Sequence, residues 1–188
     1  ILIVMPTPTT VARRQDMLAR WTHDAPNRGN RKITASRPDT RQSRLYEGLF
    51  RQALKGKKHP KVLNLGMTPE LRNLALRLGC QVVAVDMNFD MIMNLEHNIT
   101  DHLSTDNIVV RSDWLLMDAF LKPNSFDIVS GDGVIAQLTP KDMPKLIQNV
   151  AALLKPGGHF ISRVDVFLPK YPVKPFETLL EEYRRKKL

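Results

Sequence analysis

From residue 61 onward the chain alternates short apolar runs with segments of helical periodicity. Lys61-Val62-Leu63-Asn64-Leu65 reads as a buried strand ending at Gly66. Thr68-Pro69-Glu70 then opens a helix, with Thr68 as N-cap, Pro69 at the first helical position and Glu70 at the positive end. Leu71, Leu74, Ala75 and Leu78 form its apolar stripe and Gly79 stops it. Gln81–Val85 is a second strand ending in Asp86, and residues 90–98 read as a second helix. Asn107–Val110 is a third strand before Ser112-Asp113-Trp114. Phe126–Ser130 is a fourth before Gly131-Asp132-Gly133. A helix over 141–154 closes at Lys155-Pro156-Gly157-Gly158, and residues 159–166 make a fifth strand. Continuously apolar strands alternating with helices predict a doubly wound α/β domain: a mostly parallel sheet with helices on both faces.

The flanks differ from this centre. Residues 6–43 hold four prolines among Asn, Gly, Thr and Arg, and read as loop with one short helix over 11–21. Residues 42–54 carry helical spacing through Leu45, Tyr46, Leu49, Phe50 and Ala53. Residues 175–187 form another helix, with Phe176, Leu179, Leu180 and Tyr183 on one side. The expected division is a basic, lid-like arm and helix over 1–60, a ligand-binding domain over 61–168 and a C-terminal helix over 169–188.

Charge sharpens that division. The 188 residues net +9, but residues 1–60 carry +9, residues 61–168 carry −3 and the segment 169–188 carries +3. The basic excess therefore belongs to the flanks. It leaves nucleic acid open as a partner without favouring it, because no aromatics for base stacking lie among the early arginines. No apolar run approaches the roughly 18 residues of a membrane span, so no membrane is expected. The single cysteine, Cys80, excludes a disulfide framework and suits a reducing compartment, the cytoplasm. The five histidines show no metal spacing, so no metal site is expected.

In a doubly wound sheet, ligands bind beyond the carboxyl ends of the strands. Those ends here carry Gly66-Met67-Thr68, Asp86-Met87, Asp113-Trp114 and Asp132. Asp86 stands at the end of the strand after the one that leads into Gly66, which is where a carboxylate accepts from the two hydroxyls of a ribose. Thr68 and Leu71 occupy positions where a dinucleotide fingerprint needs glycine, so a nucleoside carrying one carboxylate fits better than a pyrophosphate.

Five motifs carry a resemblance. Val62–Gly66, Val83–Asp86, Ser112–Trp114, Phe126–Val129 and Leu154–Gly158, in this order, look like the class I S-adenosylmethionine-dependent methyltransferases. The likeness runs from residue 61 to about 166. Members carry an acidic residue where this chain has Asn64 and a second glycine where it has Thr68; a subgroup has a Gly-x-Thr-Pro-Glu-Leu turn like Gly66–Leu71.

The resemblance implies a Rossmann-like methyltransferase fold, S-adenosylmethionine as cofactor and methyl transfer to a small-molecule acceptor. Gly66, Met67 and Thr68 would line the methionine part, Asp86 would bind the ribose and Met87 would pack on the adenine. Asp113 would accept from the adenine amine with Trp114 beside the ring, and Asp132 would face the donor's ammonium or the substrate. No catalytic base is indicated. Trp21, His23 and Tyr46 fall in the region that folds over the site as a lid in this family. Members also finish the sheet with an antiparallel strand pair after the fifth strand, so this chain is expected to lack the last strands. Two other readings stay open: a donor-binding domain without transferase activity, and an RNA-modifying enzyme using the basic segment 1–60.

Overall fold

The computed structural model describes residues 37–96, 98–100 and 105–164, together with Ala19, Thr22, Glu177, Thr178, Glu181 and Arg185. Apart from these few positions, the helices expected over 11–21 and 175–187 lie outside the described residues, as do Trp21 and His23.

Helix α1, Thr40–Ala53, starts at Asp39, whose side chain accepts from the Gln42 N–H while the Gln42 side chain returns to the Asp39 N–H. This reciprocal box satisfies two donors that a helix end leaves open. Then follow β1 (Lys61–Leu65), α2 (Pro69–Arg77), β2 (Gln81–Asp86), α3 (Phe89–Glu96), β3 (Asn107–Arg111) and a 3-10 helix, Trp114–Ala119. The chain continues through β4 (Phe126–Asp132), a short 3-10 turn at Ile135–Gln137, α4 (Met143–Leu153) and β5 (Leu154–Arg163). The five strands form one sheet in the order β3-β2-β1-β4-β5, and every pairing is parallel.

Alternation along the strands sorts the core into two layers. Val62, Val82 and Ile128 pack under α1 and α2 with Tyr46, Phe50, Ala53, Leu71, Leu74 and Ala75. Ala84 meets α3 through Met91 and Leu95 on that same face. Leu63, Leu65, Val85 and Val129 point the other way, onto Met117 and the Leu146, Val150 and Leu153 stripe of α4. Burial on both faces explains why these strands read as unbroken apolar runs. Helix α1, from the basic flank, shares a core cluster with the sheet.

Three local expectations differ from the structure. Thr68 is the residue before α2, but its side chain makes no capping bond; Pro69 at the first position and Glu70 in the first turn remain to favour that end. Asp113 does cap, accepting from Leu115 N at 2.8 Å to start a 3-10 helix that apolar periodicity did not indicate. The Lys155–Gly158 run lies inside β5, which begins at Leu154 and ends at Arg163. Leu154 pairs with Phe126 and His159 with Ile128, so a register shift absorbs the intervening residues and the strand begins at Leu154 rather than His159.

Candidate functional site

The strand order reverses between β1 and β4, and the crevice of such a sheet opens at their carboxyl ends. Buried polar groups tie the two strands there. Asn64 and Ser130 face each other in register; Ser130 Oγ donates to Asn64 Oδ1 at 3.1 Å, and Asn64 Nδ2 donates to the Gly66 carbonyl at 2.7 Å. Asn64 thus shapes the turn leaving β1 through both ends of its amide. Gly66 sits at φ +91°, where a side chain would be strained, and its N–H donates to Val85 O. A Cβ there would stand 3.6 Å from Trp114 Cζ2 and 3.8 Å from Asp86 Oδ2. The glycine therefore leaves space between an aromatic edge and a carboxylate contributed by two other segments. Gly131 on β4 is closely packed as well: an added Cβ would run into Val134 Cγ2 and lie 2.9 Å from Leu65 O.

Asp86 and Trp114 are both anchored. Asp86 Oδ1 accepts from Asn88 N at 2.8 Å, and Trp114 Nε1 donates to Val85 O at 2.7 Å. Asn88 is buried and caps the start of α3 by accepting from Met91 N at 2.8 Å. It also donates to Thr22 Oγ1 at 3.3 Å, and Thr22 donates to Asp90 Oδ2 at 2.7 Å, which brings Thr22 onto the turn after β2. Met87 is half-buried in that turn; its carbonyl accepts from Arg111 Nε at 3.3 Å, and the Arg111 guanidinium lies over the Phe89 ring. The Met67 side chain turns inward against Ala84, Met91 and Leu95 and is buried there.

The end of β4 is a separate polar knot. The Asp132 side chain is 0 % exposed. Its Oδ1 accepts from Tyr46 Oη at 2.9 Å and Arg163 Nε at 3.0 Å, and its Oδ2 accepts from Arg163 Nη2 at 2.9 Å. The Arg163 backbone N–H donates in turn to Tyr46 Oη at 2.9 Å. Burial pushes the Asp132 carboxyl up, opposed by the Tyr46 bond and the Arg163 charge. Burial and then Asp132 push the Tyr46 phenol up. Both effects keep Tyr46 a protonated donor.

Next to this knot, Arg37 Nε and Nη2 hold Glu70 Oε1 at 2.9 and 2.6 Å, while Glu70 Oε2 is buried and receives no hydrogen bond. The structure thus gathers Gly66, Asp86 and Trp114, puts Asp113 at the neighbouring helix start, and sets Asp132 toward Tyr46 and Arg163. Sequence reasoning missed Asn88, Glu70, Arg37 and Arg163 as parts of this end. An Asn just before a helix is a legible cap signal; the pairings of Arg37 and Arg163 have no local signature. Among the described residues no group of three or more His, Cys, Asp and Glu could hold a metal ion, and no helix is long and apolar enough to cross a membrane.

Several solved structures similar to this fold are described as methyltransferases. Phosphoethanolamine N-methyltransferase 2 of Haemonchus contortus, in complex with S-adenosyl-L-methionine, superposes with a TM-score of 0.56 at 20% identity, over 86% of this chain and 40% of that one. A candidate S-adenosyl-L-methionine-dependent methyltransferase of Methanococcus maripaludis gives 0.56 at 18%, over 74% and 62%. A candidate sarcosine dimethylglycine methyltransferase of Galdieria sulphuraria gives 0.52 at 22%, over 62% and 43%. The chain thus spans less than two thirds of each of these structures, and the likeness is one of fold. No curated protein matches it in sequence. A family model, that of the methyltransferase domain, matches residues 63–162, from within β1 almost to the end of β5 and so over just more than half of the chain. By that match, and with the sheet order and crevice to accompany it, the chain belongs to the methyltransferase domain family.

Proposed function

We propose that this chain is the donor-binding domain of an S-adenosylmethionine-dependent methyltransferase that acts on a small-molecule acceptor. The observation that carries the reading is the convergence of Gly66, Asp86 and Trp114 around one cradle at the switch point of the sheet. The residues present suit the cofactor: a Cβ at 66 would fill the cradle, a carboxylate suits a ribose diol, and an aromatic edge suits a purine. Asp86, oriented by the Asn88 N–H, would accept from the ribose hydroxyls. Met87 would pack on the adenine, with Asp113 accepting from its amine and Trp114 beside it. The backbone of Gly66, Met67 and Thr68 would line the amino-acid part. Asp132 would act on the acceptor side, holding the Tyr46 hydroxyl and the Arg163 guanidinium in place.

When bound, S-adenosylmethionine supplies a methyl group already activated on a sulfonium. What this chain adds is orientation and exclusion of water. We keep the division into a lid-like arm and helix over 1–60, a donor-binding domain over 61–168 and a C-terminal helix over 169–188; the contacts of Thr22 with Asn88 and Asp90 support an arm that reaches the nucleoside end. The lone cysteine suits a reducing compartment, and we assign the protein to the cytoplasm.

Titration calorimetry with S-adenosylmethionine and S-adenosylhomocysteine tests the reading. Both bind the wild-type protein, and Asp86→Ala weakens both by about 10-fold or more, the cost of losing charge-assisted hydrogen bonds. An intact fold that binds neither overturns the proposal.

A further inference from the structure

The connection from β3 to β4 carries a 3-10 helix of six residues in place of an α-helix, and that helix is tied to α4, with Asn149 Nδ2 donating to Trp114 O at 3.1 Å. The α4 side of β2 and β3 is therefore poorly covered at the strand starts. Burial falls steadily along one row of the sheet there. Leu63, Val83 and Ile108 stand side by side in register; Leu63 is fully buried, Val83 is half-buried and Ile108 is 53 % exposed. A cavity of about 260 Å³ fills the gap. Val83 and Ile108 line it from the sheet, and Phe120, Leu121 and Phe126 line it from the β3–β4 connection and the start of β4. Apolar surface left in contact with water in a concave site is surface that a ligand can cover.

The rim supplies the charge. Side chains two apart on a strand share a face, so Lys61, two residues before Leu63, points to this side of the sheet and borders the cavity. Lys122 borders it from the β3–β4 connection, and Asp106 is the one carboxylate among the lining residues. Other lysines are committed: Lys145 pairs with Asp118 at 2.6 Å, and Lys155 with Asp127 at 2.6 Å. The ammonium groups of Lys61 and Lys122 are in no ion pair among the described residues. Two unpaired cations over an apolar floor suit an anion with an apolar body. The Phe120 and Phe126 rings favour an aromatic body, which packs on them edge-to-face or offset. The volume is just under the roughly 300–1,000 Å³ of sites for drug-sized ligands, so the occupant is smaller, of one or two rings. The cavity also lies clear of the donor cradle. Gln81, which lines it, begins β2, and Asp86 ends the same strand roughly 16 Å away by the rise of a strand.

We propose that this cavity is a second ligand site, for a small aromatic carboxylate whose ring rests on Val83 and Ile108 and whose anion meets Lys61 and Lys122. Calorimetry with 2-naphthoate as the probe tests it. Wild type binds with a Kd of about 1 mM or below, and saturating S-adenosylhomocysteine changes that value by less than about twofold. Ile108→Asp, at an exposed position, weakens binding by about 10-fold or more. Lys122→Glu weakens 2-naphthoate by about fivefold or more and leaves the neutral 2-naphthalenemethanol within about twofold. No binding of 2-naphthoate up to about 5 mM overturns the proposal, as does its displacement by S-adenosylhomocysteine. Equal losses for the acid and the alcohol in folded Lys122→Glu, or no loss in either variant, overturn it as well. If Ile108→Asp does not fold, Lys122→Glu decides alone. A wild-type dimer on size-exclusion chromatography that Ile108→Asp converts to a monomer, with no 2-naphthoate bound, assigns the face to a second copy of the chain and overturns the ligand site. The outcome is independent of the proposed function, because a protein that binds no S-adenosylhomocysteine is still judged by 2-naphthoate and the two variants.

Discussion

Two side chains on the far end of the sheet show how placement sets chemistry residue by residue. Asp127 is 3 % exposed, and its Oδ2 accepts from Lys61 N at 2.9 Å and Lys155 Nζ at 2.6 Å. Burial pushes this carboxyl up, but the Lys155 and Lys61 bonds outweigh it and hold the carboxyl below its ordinary range. A carboxyl whose folded pKa is depressed stabilises the fold above its unfolded pKa, about 3.9, and that share is lost as pH falls through the folded value. Asp127→Asn should therefore cost about 1–3 kcal/mol between pH 5 and 8. In urea titrations across pH, the gap to wild type should close below about pH 4; a gap independent of pH contradicts this account. Cys80 is the second case. Burial, and then the Asp127 charge, push its thiol up to about 11. At pH 8 iodoacetamide should modify native Cys80 negligibly and react readily once denaturant unfolds the chain, as mass spectrometry would read. Fast modification of the native protein would contradict its place in the core cluster.

Among the elements, α1 is attached to the sheet twice. Tyr46, Phe50 and Ala53 enter the apolar cluster, and the Tyr46 hydroxyl joins Asp132 on β4 to the backbone of Arg163 on β5. Tyr46→Phe keeps the apolar contact and removes both hydrogen bonds. It should lower stability by about 1–3 kcal/mol in denaturant unfolding, with helix content by circular dichroism unchanged; a loss of helicity would mean that the hydroxyl, rather than Phe50 and Ala53, docks α1. This link also marks the limit of what could be read from sequence. The helical spacing of Tyr46, Phe50 and Ala53 is plain in the chain, as is Asp132 between two glycines. That the two meet depends on a contact between distant parts of the chain, which no local pattern encodes. Strands β1 and β4 were legible because both their faces are buried: β1 ends where its apolar run ends, at Leu65. The start of β5 was not, since Pro156 and two glycines read as a turn while a register shift lets them stay in the strand. Gly66, Asp86 and Trp114 could be singled out because a parallel sheet returns every strand end to one edge. Glu70 and Arg37 could not, since their pairing lies outside that rule.

For the whole molecule, the sheet order has a consequence for how the protein is made. The first strand of the sheet, β1, lies at its centre, and its two neighbours come from very different distances along the chain. Val62 pairs with Val82 on β2, the next strand in sequence, but also with Ile128 on β4, which is made only after β3. During synthesis from the N-terminus, β1, β2 and β3 are therefore complete while one edge of β1 still lacks its neighbour. The face of β1 carries Leu63 and Leu65 as well, whose cover from Val129 and α4 is also made later. A fragment ending at Arg111 should be largely unstructured by circular dichroism or aggregate on size-exclusion chromatography, whereas one continued through Arg163 should be monodisperse and cooperative. The Gly66 turn is among the first of the sheet's features to leave the ribosome, yet its shape depends on Ser130 through Asn64 and so becomes final only when β4 arrives.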